Sequence, residues 1–284
     1  MKTQPAGRSV FWLSFPIAAL VVVTSWAGLF WPSTYAQETL NWATQGRGGD
    51  VVNVALVVPV LVVSATLALR GSQPARLVWM GSLLYLLYNF IIYTLAVHFN
   101  ALFLIYCGTL GLSFYALAGS LPSLPAEEIA RSYGPGAPAK TVALVFLVLA
   151  SLAAVGWLQE DIPALLSHQT PQNIKDLGLL TNPVHVLDLA LLLPGLVVTA
   201  IMLLRRKVLG FVFAPALITF MMLMSAQLAA LIVVMGLKGF GTEYGMAGLF
   251  AALAVGFAVL LARFFAGKDQ SPQATSSDQY PNAA

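Results

Sequence analysis

Asp188 is the residue in this chain that most needs a physical explanation. It lies near the start of HVLDLALLLPGLVVTAIMLLRR, the stretch from His185 to Arg206, and is the only acid well within an apolar run. A charge at mid-bilayer costs ~2.5–3.5 kcal/mol on insertion scales. Five residues after Pro183, Asp188 falls roughly 7–8 Å along a helix from its start, which makes it shallow and reachable from one side. His185 stands one turn earlier on the same face. His98, Asn100 and Tyr106 fall at the corresponding ends of two other apolar runs, and Asp50 and Asn53 at the end of a third. Tyr85, Tyr88, Asn89 and Tyr93 recur at three- and four-residue intervals, so they share a helix face that must point into protein. Asn89 would place an amide deep in the bilayer, where it needs a partner. Together these residues predict an outward-facing polar vestibule for an ion or small polar ligand. The other reading is structural, with Asp188 bonding helix ends and holding them in register.

Other chemistry fits less well. His98, His185 and Asp188 could supply three metal ligands, but no tight ligand motif joins them. Gly111-Leu112-Ser113 puts a serine far from any of the three histidines, which sit near the opposite surface, so a Ser–His pair is not expected. No phosphate-binding glycine loop is present, and the last two apolar runs hold no lysine for a retinal linkage. Cys107 is the single cysteine, which excludes an intramolecular disulfide. Neither a catalytic residue nor a cofactor is predicted.

The elements that position these residues are membrane helices. The 284 residues are 59% hydrophobic and 9% charged, whereas a soluble domain carries roughly a quarter charged residues. A spanning helix needs ~20 mostly apolar residues. Eight such runs occur, near 10–31, 51–70, 77–98, 101–120, 141–159, 184–204, 208–236 and 246–264. They are continuous rather than alternating, so the fold class expected is all-α rather than a barrel. Residues 32–50 read as a flexible loop, and 161–168 as a short amphipathic helix on the membrane surface. The small residues before Gln37 resemble a signal-peptide cleavage site, but the first apolar run is longer than a signal core, so a spanning helix is expected there.

Lysine and arginine concentrate in cytoplasmic loops. With both termini inside, Lys2, Arg8, Arg70, Arg76, Arg131, Lys140, Arg205, Arg206, Lys207, Arg263 and Lys268 are cytoplasmic, leaving Arg47, Lys175 and Lys238 outside. A multi-pass protein of the inner (plasma) membrane with both termini cytoplasmic is the expectation. The net charge of +3 reflects this bias and implies no nucleic-acid partner.

The opening stretch has an echo 135 positions earlier. Asp50 to Arg70 aligns with His185 to Arg205 without a gap: Ala55 with Ala190, Pro59 with Pro194, Leu61 with Leu196, Ala65 with Ala200, Arg70 with Arg205, and Asn53 with Asp188. This reads as two tandem four-helix repeats of the same topology, 1–120 and 141–266, joined by a cytoplasmic linker at 121–140 and followed by a disordered tail, 267–284. Kinking prolines at matching positions favour a transporter or channel-like protein with its site between repeats. A scaffold, or a subunit with a homo-oligomeric or membrane partner, is the alternative, and an intramembrane metal-dependent enzyme the third. The strings YLLYNFIIYTLAVHFNALFLIY (from Tyr85) and NPVHVLDLALLLPG (from Asn182) resemble a family of bacterial multi-pass membrane proteins with no assigned activity. That resemblance covers roughly 50–240 and implies membrane integration only.

Overall fold

A computed structural model describes residues 9–133, 136–241 and 244–267. The expected tail, 267–284, lies outside them beyond Gly267, as do the N-terminal Lys2 and Arg8. All regular structure among the described residues is helical, and eight helical segments are long and apolar enough to cross a membrane. The first segment is α1 (Ser14–Phe30) with the 3-10 turn before it; the second joins α2 (Leu40–Val52) to α3 (Val58–Leu69). Then come α4 (Gln73–Ala96) and α5 (Phe103–Ser120), and the short amphipathic α6 (Ala126–Tyr133). The second half has α7 (Ala139–Leu166), the short α8 (Gln172–Leu177), α9 (Pro183–Leu187) leading to α10 (Leu193–Leu204), α11 (Val208–Leu237) and α12 (Tyr244–Ala266).

Helix starts are capped where the chain turns. Ser72 accepts a hydrogen bond from the Ala75 amide, Thr39 from that of Trp42, and Asn182 from those of Val184 and His185; such caps satisfy amides that the first turn leaves free. α11 packs against α2, α4, α10 and α12, while α4 packs on α3, α5 and α11. Gly81 lets α4 approach α11 closely, since a Cβ there would collide with the Ala216 carbonyl and Thr219.

Two expectations are corrected. Residues 40–50 are helical, not a flexible loop. Their glycines serve contact: a Cβ on Gly48 would lie 2.5 Å from Leu231 Cα, and one on Gly49 2.9 Å from Gln227 Nε2. The stretch is polar because it faces α11 and the interior, not because it is a solvated loop. Residues 161–166 are likewise the end of α7, which runs unbroken through Pro163.

The aligned segments share local backbone structure. Asn53–Val57 and Asp188–Leu192 are both π-helical turns, with Val58 N–H bonded to the Asn53 carbonyl and Leu193 N–H to that of Asp188. Each precedes a proline, Pro59 or Pro194, whose missing N–H breaks the α-helical ladder. The ends match too. Gly71 (φ 93°) and Arg206 (φ 51°) are left-handed, while the amides of Ser72 and Lys207 bond back to Leu67 and Met202. This is a helix-ending motif that satisfies free carbonyls.

Candidate functional site

Asp188 follows the short α9 and opens the second π-turn, which carries its side chain toward α4 and α7. Tyr88 Oη donates to Oδ1 at 2.9 Å and Trp157 Nε1 donates to Oδ2 at 2.9 Å. The residue is buried, and no cation lies within ion-pair distance of it among the described residues. His185 stands behind this arrangement. Its ring stacks on Trp157 with centroids 4.4 Å apart, and its Nδ1 meets the Asp161 carboxylate at 3.0 Å. Asp161 thus orients His185, His185 braces Trp157, and Trp157 holds Asp188.

The carboxylate borders a cavity of about 390 Å³ between the two halves of the chain. Gln45 and Gly46 of α2 and Tyr88, Asn89 and Tyr93 of α4 form one side; Leu149, Ala153 and Trp157 of α7, Leu196 of α10, Met221 and Ser225 of α11 and Phe257 of α12 form the other. Its depth along α11, from Met221 to Leu231, is roughly 15 Å at the helical rise. Most of the wall is aliphatic or aromatic, with leucine the commonest residue. The chamber is therefore an apolar space with a polar flank, not the polar vestibule expected from sequence.

The polar flank continues along α4. Asn89 donates to the Tyr85 carbonyl at 3.0 Å and accepts from Gln227 Nε2 at 2.9 Å, so its buried amide is satisfied. Tyr85 Oη lies 2.6 Å from Gln227 Oε1 and 3.1 Å from Asn53 Oδ1, while Asn53 Nδ2 has no partner. A hydroxyl carries one proton. With Gln227 as its acceptor, Asn53 serves Tyr85 better with its amide turned over and nitrogen donating.

Asp50 is fully buried behind the chamber wall. Tyr35 Oη donates to one oxygen at 2.7 Å and Tyr93 Oη to the other at 2.9 Å. Gly28 makes the room, because a Cβ there would overlap Asp50 Oδ2. Arg47 lies over the Tyr35 ring, 5.7 Å from its centroid. Burial, and next the Asp50 charge, push the Tyr35 phenol well above its usual range near 10.

Of the residues singled out in the sequence, Asp188, Tyr88, Asn89 and Tyr93 border the chamber. Asp50, Asn53 and His185 stand one layer behind, bonded to or stacked on residues that border it or, for Asn53, on Tyr85 beside them. His98, Asn100 and Tyr106 do not reach it. His98 meets Glu38 at 3.0 Å; Asn100 donates to the Thr34 carbonyl and accepts from the Leu102 amide; and Tyr106 packs on Tyr93, centroids 5.4 Å apart. They shape the chain entering α5. His98, His185 and Asp188 do not converge, and no group of three metal-ligating side chains occurs among the described residues. Tyr35, Trp157 and Gln227 complete the site without having been predicted for it. Their buried polar atoms are the signal, but their partners are distant in sequence. The chain matches no protein-family model, no curated protein and no solved structure.

Proposed function

We propose that this protein binds a small amphiphilic molecule within the membrane and carries it across. Its apolar body would fill the chamber between the halves and its polar head would sit at Asp188. The observation that carries this reading is the placement of a buried, doubly hydrogen-bonded carboxylate on the wall of a 390 Å³ apolar cavity. Ligand pockets are typically ~300–1,000 Å³, mostly apolar, with a few placed polar groups. A bare ion would leave such a chamber mostly unfilled. In this proposal an amphiphile takes the place of the ion or small polar ligand expected from sequence.

Movement, rather than binding alone, is supported by the paired π-turns and prolines. They interrupt two helices at matching positions, Asn53–Val57 and Asp188–Leu192, and such interruptions flank sites at repeat interfaces in transporters. The proposal includes the tandem-repeat arrangement, with the chamber near the repeat boundary. The close approach of Gly81 to Ala216 supports it, because these residues are themselves 135 positions apart, as a near-two-fold contact requires.

The test is a thermal-unfolding screen of purified protein against short-chain amphiphiles with cationic, anionic and neutral heads. At least one class should raise the melting temperature of the wild type and leave Ala153→Trp, whose indole would obstruct the chamber, unchanged. If no class stabilises the wild type, or if Ala153→Trp responds equally, the chamber is not a ligand site. The scaffold reading then takes its place.

A further inference from the structure

We infer that the molecule bound in the chamber is an organic cation, an amine or quaternary ammonium with an apolar tail. This rests on the reading of the chamber as a ligand site and specifies its chemistry. Among the described residues the lining includes no lysine, arginine or histidine, and Asp188 is its only carboxylate. An anionic head would meet a carboxylate and no countercharge. A cationic head supplies the charge that Asp188 lacks, and an unpaired charge in a low-dielectric interior is costly until it is paired.

The surroundings of the carboxylate suit a cation as well. Tyr88 and Trp157 direct their polar hydrogens at the two oxygens, so their rings sit beside the place where the head must lie. Tyr35, Trp42 and Tyr93 also line the chamber. Aromatic faces attract cations within about 6 Å, and cages of such rings recognise quaternary ammonium groups. His185 is a basic side chain behind this site, but its Nδ1 is engaged by Asp161 and its ring is stacked on Trp157. It braces the wall and does not occupy the position a ligand cation would take.

Octyltrimethylammonium and octanesulfonate share a tail and differ in the sign of the head. Titrated against the purified protein below their micellar concentrations, the cation should bind saturably and at least about tenfold more tightly than the anion, ~1.4 kcal/mol or more. Asp188→Asn should abolish that preference. The wild-type comparison needs no variant, so it stands even where a substitution impairs folding. Equal binding of the two, or preference for the anion, overturns the cation assignment and leaves the chamber as a ligand site. Binding of the cation that survives unchanged in both Asp188→Asn and Ala153→Trp overturns both. Failure of the cation to bind overturns the cation assignment, and the wider amphiphile screen then decides the chamber separately.

Discussion

Asn53 and Asp188, 135 positions apart, each open a π-helical turn whose first carbonyl accepts the amide five residues on, from Val58 and from Leu193. The backbone is the same and the side chains are not. Asn53 bonds to Tyr85, three residues before Tyr88 on the same helix, and Tyr88 bonds to Asp188. One helix, α4, therefore reads both turns, an amide on one side and a carboxylate on the other. Of the two turns only the second opens on a carboxylate, and the chamber borders it.

Removing either donor from Asp188 should destabilise the protein by about 1–3 kcal/mol, the usual cost of leaving a buried polar group short of a partner. Tyr88→Phe and Trp157→Phe are the substitutions, and the melting temperature is the readout. Both act on one carboxylate, so the double variant should depart from additivity. Strict additivity would mean that the two bonds are not shared as described.

Gly28→Ala should cost about 1–3 kcal/mol, because the added methyl enters a packed interior. The atom in its way belongs to Asp50. The cost should therefore shrink when Asp50→Ala is present, which a double-mutant cycle of thermal unfolding would detect. An undiminished cost would place the clash elsewhere.

Tyr35 gives a pH dependence with a definite sign. Its folded phenol is held neutral to well above 10 by burial and by the Asp50 charge, whereas the unfolded chain ionises near 10. The folded state then binds more protons above that pH, so its contribution to stability is complete below about pH 10 and falls as pH rises further. Alkaline unfolding should steepen there, and Tyr35→Phe should flatten it. An unchanged alkaline limb in the variant would show that Tyr35 ionises normally.

The expected topology can be tested on a Cys107→Ser background. Exposed positions at opposite ends of the bundle are now identifiable: Ala36 and Gln172 at one end, Glu128 at the other. Cysteines at Ala36 and Gln172 should react with an impermeant thiol reagent in intact cells, and one at Glu128 only after permeabilisation. The reverse pattern would invert the orientation inferred from lysine and arginine.

The eight helices were legible because long apolar runs leave the backbone no alternative within a bilayer. The start of the second was not, since Asn41, Gln45, Arg47 and three glycines resemble a loop until α11 is seen pressed against them. The place where two helices are interrupted was visible in the matching prolines Pro59 and Pro194. Asp188 and Asn89 stood out as polar groups in apolar surroundings. Their partners did not, because Trp157 and Gln227 are brought to them only by tertiary packing. The partners of the histidines were hidden for the same reason. His98 and His185 each found a carboxylate near its own end of the chain's path, Glu38 and Asp161, rather than one another.

The central claim is that the space beside Asp188 admits a molecule, and a cysteine at Ser225 reports on it most directly. Ser225 lines the chamber, whereas Ser82 is equally buried without lining it. On the Cys107→Ser background, Ser225→Cys should react with N-ethylmaleimide at least about tenfold faster than Ser82→Cys, and adding Ala153→Trp should remove most of that difference, ~1.4 kcal/mol in activation free energy. Equal, slow reaction at the two positions, or a fast reaction at Ser225→Cys that Ala153→Trp leaves untouched, would contradict the account.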